Sequence, residues 1–521
     1  MELVKKSIHM NRLKNKNLVQ ITLDDDFIVP DTKPDINSVI TSEGEVDINH
    51  VGVSDGKVNV RGRLIFKNLY LCNDDNKRLA NMEGELSFDE NMLIEGVKDG
   101  DNVYVKWDID DLSMSIINTR KISAKALISL EVTSENVYGV DIICDVERNK
   151  EDSVDYIKKN IDVSQIVVSK KDVIRVRKEI EIPSNRGSIQ SVLWNNVRLK
   201  STAVKLMDRK LLISGEISVV ILYESEENSM VQWMETAVPY SESLELPCSE
   251  DMIPDVDVCV SGVNLIPRPD SDGEQRLLDL DMSIELGIKI YKEESIEYIS
   301  DMYSTACELT PTVKRVTYNS IQFKNMSKAK VSDRLKLDSA NGNVMQVFGS
   351  DGVVKIDEVK ISEYDNNVVI EGVVYVNVMY ISSDDLRPVC VAKQVIPFTH
   401  EALVNGVSQD SMIFIRPSLE QLTTVMVGNN EIEAKAVVVL DIMAMNSKEA
   451  EVIEDVTEEP FDLEKIKAIP CMVGYMVKES DSLWKIAKKY YTTVDNIKMV
   501  NELTGDEIKA GQMLLVVKES V

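Results

Sequence analysis

The sequence is poor in the residues that catalysis is built from. Its 521 positions include only three histidines, His9, His50 and His400, far apart and none beside a cysteine or in an HExxH pattern. CxxC, GxSxG and GxxxxGK(S/T) are absent, so zinc, serine-hydrolase and P-loop chemistry have no anchor. Seven cysteines (Cys72, Cys144, Cys248, Cys259, Cys307, Cys390, Cys471) are scattered and odd in number, which suits free thiols in a reducing compartment better than a disulfide framework. Aromatic residues make up only 5%. No stretch reaches transmembrane length, and Met1–Gln20 has basic residues but no signal-type apolar run, so neither membrane insertion nor export is expected. No enzyme activity, metal or cofactor is expected on these grounds.

What is abundant is acid. Asp and Glu number 88 against 59 Lys and Arg, a formal net charge of −29. Such a chain repels nucleic acid and anionic lipid, so neither is an expected partner. The Asp24-Asp25-Asp26 run, with Asp31 and Asp35 nearby, has the hard oxygens that calcium uses, but a solvated acidic turn is the favoured reading. Lys170, Lys171, Arg175, Arg177 and Lys178 lie on an apparent strand and are read as its solvated outer face rather than a binding patch.

The length calls for three or four domains, and one pattern occurs three times. Val58-Asn59-Val60-Arg61-Gly62 runs on to Tyr70, Leu211-Leu212-Ile213-Ser214-Gly215 to Tyr223, and Val368-Val369-Ile370-Glu371-Gly372 to Tyr380. Period-two alternation across the glycine marks a long strand, with the glycine at a bulge or a close backbone approach. Leu86-Ser87-Phe88, Val238-Pro239-Tyr240 and Ile396-Pro397-Phe398 follow at matched distances. Each copy ends on a second alternating run, beginning at Ile122, Leu278 and Ile432.

These patterns predict a mainly β protein of three duplicated β-sandwich or barrel-like domains, at 20–148, 165–305 and 320–447. Superposition should bring Gly62, Gly215 and Gly372 together. Glu147–Lys171 and Val313–Lys330 read as charged connectors, with a short helix proposed for Val154–Asn160. The segment 448–472, crowded with Glu449, Glu451, Glu454, Asp455, Glu458 and Glu459, reads as an extended acidic linker that leaves the last module free to move.

That module, 473–519, reads strand, helix, helix, strand. Tyr475 and Val477 alternate, Asp481 and Ser482 supply oxygens for a helix start, and Leu483, Ile486, Ala487 and Tyr490 share one helical face. Thr493 caps a second helix, and Gly511 precedes the strand Met513–Val517. The run Y-x-V-x-x-x-D-S-L-x-x-I-A-x-x-Y from Tyr475, with Asn501, Ile508 and Gly511-Gln512, resembles the LysM domain. That resemblance implies a small βααβ fold and binding of N-acetylglucosamine polymers between the loops Ser480–Leu483 and Leu503–Ile508. Two positions depart from the family: Ser480 replaces a glycine, and Lys518 stands where a proline often closes the module.

Trp484 lies one step off the apolar face, with Lys485, Lys488 and Lys489 alongside. It reads either as a protein-binding anchor or as a shield over the edge of a small core. The candidate partner-binding set is Ser480, Asp481, Ser482, Trp484, Lys485, Lys488, Lys489, Thr504, Asp506 and Ile508.

Three such β repeats followed by one LysM module resemble the clostridial spore-coat morphogenetic proteins built from SPOCS (spore and coat protein) repeats. The resemblance implies a non-enzymatic adaptor in spore coat assembly and forespore engulfment, in the mother-cell cytoplasm at the forespore surface. Its implied partner is the ATPase scaffold of the coat basement layer, bound through the LysM module, with other coat proteins as further candidates. The alternative is a peptidoglycan-binding protein.

Overall fold

The computed structural model describes residues 2–73, 78–147, 154–227, 231–337, 343–362, 367–384, 386–428, 430–462, 464 and 469–518. The first repeat has six strands: β1 (Glu2–Ile28), β2 (Ile36–Ser54), β3 (Lys57–Cys72), β4 (Leu79–Leu93), β5 (Asn102–Asn118) and β6 (Lys121–Glu147). They form two antiparallel sheets, in orders β2-β3-β4 and β1-β6-β5. The second repeat places β7 (Val154–Glu181), β8 (Ile189–Met207), β9 (Lys210–Ser225), β10 (Val231–Glu245), β11 (Ile253–Pro269) and β12 (Gln275–Ser304) in the same order. The third does so with β13 (Glu308–Lys336), β14 (Val344–Ile361), β15 (Asn367–Ser382), β16 (Val389–Leu403), β17 (Met412–Gly428) and β18 (Glu431–Glu459).

The alternation in the sequence is the alternation of faces. Ile122, Ala124, Ala126, Ile128, Leu130 and Val132 all turn into the first sandwich and are fully buried against Val58, Val60, Leu64 and Phe66 of the facing sheet. One backbone bond closes each repeat at an equivalent place: Val29 N–H to Arg120 O, Ile182 N–H to Arg276 O, and Leu337 N–H to Asn430 O, at 2.8–2.9 Å.

The three motif glycines sit on the inward face, each across from the aromatic residue of the following strand: Gly62 from Phe88, Gly215 from Tyr240, Gly372 from Phe398. The ring fills the space that a side chain would take, the arrangement in which an aromatic covers a strand glycine. The opposite neighbouring strand is bulged at each site, between Ile48 and His50, Lys200 and Ala203, and Ile356 and Glu358. A Cβ at Gly372 would lie 2.4 Å from Lys355 O, one at Gly62 2.6 Å from Asp47 O, and one at Gly215 3.0 Å from Lys200 O. Backbone oxygens cannot swing aside as a side-chain tip can. Gly372→Ala and Gly62→Ala are therefore expected to cost about 1–3 kcal/mol, and Gly215→Ala least. Urea midpoints of the three variants check the order; an equal, negligible effect in all three would contradict the close approach.

β1, β7 and β13 begin well before the sandwiches, and β6, β12 and β18 run well past them. These overhangs pair as three two-stranded ribbons, and the ribbons pack on one another with equivalent residues meeting. Val140, Ile296 and Ala450 share one apolar cluster with Ile142, Tyr298 and Val452; Ile143, Ile299 and Ile453 share the next. At the other end of the body Leu69, Leu222 and Met379, each seven residues past its glycine, meet in a further cluster. The three repeats thus surround a pseudo-threefold axis. A cavity of about 50 Å³ remains near it, lined among others by the equivalent residues Glu43, Asn196 and Asp351. Burial pushes the Glu43 carboxyl up, with Arg198 and its positive charge opposing.

This central bundle overturns the linker readings. Val154–Asn160 is strand, not helix, and Val313–Lys330 lies within β13; Glu147 ends β6, Val154–Lys171 lies within β7, and 148–153 fall outside the described residues. The acidic segment continues β18 through Glu459, paired to β13 from Glu308 onward. Val452 and Ile453 are 1% exposed, while the acids are answered by Lys314 on Glu454 (2.8 Å) and by Arg315 near Glu449 and Glu451. Charge density had hidden a strand whose acids have cross-strand partners.

The Asp24–Asp26 run is likewise strand: Asp26 pairs with Lys121 at 2.7 Å, while Asp31 and Asp35 flank Arg120. Of the basic cluster, Arg177 pairs with Asp281 and Lys170 with Asp172, but Lys171 reaches across to Val103 O and the Tyr104 ring of the first repeat. Among the described residues no group of His, Cys, Asp and Glu could hold a metal ion, and no helix is long and apolar enough to cross a membrane.

Candidate functional site

The C-terminal module consists of β19 (Met472–Met476), α1 (Leu483–Tyr490), α2 (Val494–Val500) and β20 (Met513–Val517), with β19 and β20 antiparallel. Ser482 caps α1 by accepting from Lys485 N, and Thr493 caps α2 by accepting from Asn496 N. Asp481 does not join the cap as the sequence suggested. Its Oδ2 accepts from Lys478 N (2.9 Å) and the Tyr475 hydroxyl (2.7 Å), and the Lys478 bond chiefly holds the carboxyl below its usual range. Asn501 ties α2 to β20, donating to Leu515 O and accepting from Leu515 N at 2.7 Å each. Gly511 takes φ +83° in the turn before β20.

Leu483, Ile486 and Ala487 are buried together with Val477, Ile497, Leu514 and Val516, and Ile508 packs on the same cluster. Of the other candidate residues, Ser480, Ser482, Lys485, Lys489 and Thr504 are exposed. Lys485 donates to Ser480 O, Lys489 lies over the Tyr475 and Tyr490 rings, and exposed Asp506 pairs with Lys498. The two loops that flank the family's sugar groove are therefore open to solvent.

Trp484 and Lys488 are engaged elsewhere. The Trp484 indole N–H donates to Asp301 Oδ2 at 2.7 Å, and the Lys488 ammonium lies 2.6 Å from Asp301 Oδ1. Tyr303 meets the Trp484 ring edge to face with centroids 4.8 Å apart. Its hydroxyl stands 2.9 Å from Thr492 O and 3.0 Å from Asp155 Oδ2, and the ring, 4% exposed, belongs to the module's own apolar cluster. Tyr491 adds a hydroxyl bond to Glu308 (3.1 Å). Sequence reasoning missed Asp301, Tyr303 and Glu308, because nothing local marks the end of a strand as the seat for a module 180 residues downstream.

Burial would raise the Asp301 carboxyl, but the bonds from Lys488 and Trp484 outweigh it and hold it below the ordinary range. A depressed carboxylate contributes stability above its unfolded pKa, ~4, and loses it as pH falls through the lower folded value. The stability difference between wild type and Asp301→Asn should thus be present at pH 6 and shrink towards zero in acid. A difference that stays constant across that range, measured by urea unfolding, would rule out the charged contact.

The family described as "SipL, SPOCS domain" matches residues 35–117, 188–266 and 343–427, and the LysM domain family matches 475–517. The chain thus carries three SPOCS domains of the SipL type and one LysM domain. Each SPOCS match covers the β2-β3-β4 type of sheet and the strand after it; the long first and last strands that build the central bundle lie largely outside. Neither family is a catalytic one. The chain is also similar to the probable peptidoglycan endopeptidase LytE of Bacillus subtilis (strain 168), 50% identical over 40 residues. That alignment spans 8% of this chain and 12% of that protein. No solved structure gives a significant match.

Proposed function

We propose that the protein is a non-enzymatic adaptor of spore coat assembly and engulfment. It works at the forespore surface in the mother-cell cytoplasm and binds the ATPase scaffold of the coat basement layer through its LysM module. The SPOCS–LysM composition supports the sporulation setting. The observation that carries protein binding is the use already made of α1: Trp484 and Lys488 grip a carboxylate and an aromatic ring of another domain. A module helix that satisfies its indole and ammonium on groups of another domain is equipped for protein surfaces.

A glycan reading is favoured by one observation, the 40-residue likeness to a protein named as a peptidoglycan endopeptidase. Calorimetric titration of the full chain separates the two. Saturable binding of the purified scaffold ATPase, with none of an N-acetylglucosamine pentamer, is expected. Tight binding of the pentamer without binding of the scaffold would overturn the adaptor reading. Trp484→Glu, which removes the indole and adds a charge that an interface buries only at several kcal/mol, is expected to abolish scaffold binding while circular dichroism stays unchanged.

A further inference from the structure

The ends of the three central ribbons carry the same irregularity. A bulge interrupts each pairing between Val4 and Lys5, Ile299 and Asp301, and Thr312 and Val313. The extra residues are Cys144, Ser300 and Glu454, and each is followed by an aspartate: Asp145, Asp301 and Asp455. A bulge re-aims the side chain it carries, and Asp145 and Asp301 each accept the N–H of the next residue through Oδ1 at 2.9 Å. Three equivalent carboxylates are thus presented at the same end of the body, and the module sits on one of them.

The choice among them is explained two residues further on. Tyr303 follows Asp301, whereas Glu147 follows Asp145 and Thr457 follows Asp455. Asp145 is answered instead by Tyr156 and Lys158, and Asp455, with a side chain 70% exposed, has Lys5 at 4.0 Å. The seat that the module takes is the one in which an aromatic ring stands two residues past the carboxylate. Charge agrees with this direction. Met472–Lys518 holds seven lysines against six acids, on a chain whose net charge is −29.

We infer that the α1 face of the LysM module reads an extended segment presenting a carboxylate two residues before an aromatic ring. In the resting chain that face is occupied by the protein's own Asp301 and Tyr303, so an outside partner engages by displacing them. This rests on the reading that the module captures a protein. The body then acts as a competitor held at high effective concentration, and apparent affinity falls by the fraction of open molecules. The partner is a protein with an acidic, aromatic-bearing strand or loop.

The test uses the full chain labelled with 5-fluorotryptophan, in which Trp484→Phe assigns the Trp484 resonance. Asp301→Lys is expected to move that resonance to a solvent-exposed position, and adding Lys488→Asp to return it towards the wild-type one. Calorimetry with the scaffold ATPase should show Asp301→Lys binding more tightly, about tenfold if one molecule in ten is open in the wild type. An unmoved Trp484 resonance in Asp301→Lys overturns the inference. So does an exposed Trp484 with unchanged scaffold affinity, which would place the partner on another face and leave the adaptor reading standing. If wild type and variant both fail to bind the scaffold, that reading falls, and the fluorine signal still decides whether Asp301 holds the face.

Discussion

Replacing Lys289 with methionine is expected to cost about 3–5 kcal/mol, because it leaves a buried carboxylate without its cation. The Lys289 ammonium of the second repeat lies 2.6 Å from Glu135 of the first, with the two side chains 16% and 9% exposed. Asn11 supplies Glu135 with one further hydrogen bond at 2.8 Å, and the Tyr104 ring lies beneath the ammonium at 4.9 Å. Lys171, over the same ring at 4.9 Å, already donates to Val103 O, and water has little access to the carboxylate. The paired neutral variant, Lys289→Met with Glu135→Leu, should recover most of the loss, since the expense comes from the unpaired ion rather than from the missing contact. Urea unfolding of the two single variants and the double variant measures this as a cycle. A loss under about 1 kcal/mol for Lys289→Met would mean that the contact between the first two repeats does not depend on this pair.

The same interface explains how three copies of one fold assemble in one order. Lys106, Asp257 and Arg416 occupy equivalent positions in β5, β11 and β17, opposite Glu131, Gly287 and Asp441. They come together: Lys106 lies 3.2 Å and Arg416 2.9 Å from Asp257. Identical repeats would bring three like charges to one place. Divergence after duplication let one position become an anion between two cations, and Asp255, 7% exposed, adds a second carboxylate to Arg416. The asymmetry makes each repeat complementary to its neighbours rather than to itself.

This also accounts for what was legible in the sequence. The sandwich strands were readable because one face is buried and the other wet, so Ile122 to Val132 and Ile432 to Ile442 write the period directly. The glycine and its covering aromatic were readable as a spacing, though not as a contact. The ribbon ends were not readable. Residues such as Glu449, Glu451 and Glu454 face outward from a two-stranded element whose buried side, Val452 and Ile453, shows only a short apolar signal. The core they enter is completed by two other repeats, about 155 and about 310 residues away (Ile296 and Val140 against Ala450), and no local window contains it. The seat of the LysM module failed for the same reason. Trp484 beside Lys488 stood out in the sequence as either a binding anchor or a shield over a small core, while Asp301 and Tyr303 looked like ordinary strand residues.

The motif tyrosines carry the second large effect. Tyr70 and Tyr223 are fully buried and Tyr380 is 2% exposed, each at the end of the central strand of its sheet. The Tyr70 hydroxyl donates to Pro34 O at 3.0 Å; that of Tyr223 stands 3.2 Å from Gly187 O, the equivalent loop position, and 3.1 Å from Gln232 Oε1. The Tyr70 and Tyr223 rings therefore pack the core with their faces and pin the loop after the repeat's first strand with their tips, while Tyr380 shares the burial. Truncation to alanine is expected to cost about 3–5 kcal/mol, as for other large aromatic deletions, whereas Tyr223→Phe removes only the tip and should cost about 1 kcal/mol. Burial also pushes the phenols up, Tyr380 to about 12 with the Cys390 thiol adding to the shift. A raised phenol stays protonated in the native state after the unfolded one has ionised. Its contribution is complete below pH ~10 and is lost as pH rises towards the folded value. Tyr380→Phe should accordingly flatten the fall in stability between those limits, measured by urea unfolding at stepped alkaline pH. An unchanged alkaline slope in Tyr380→Phe would mean that the ring is not held protonated by its burial.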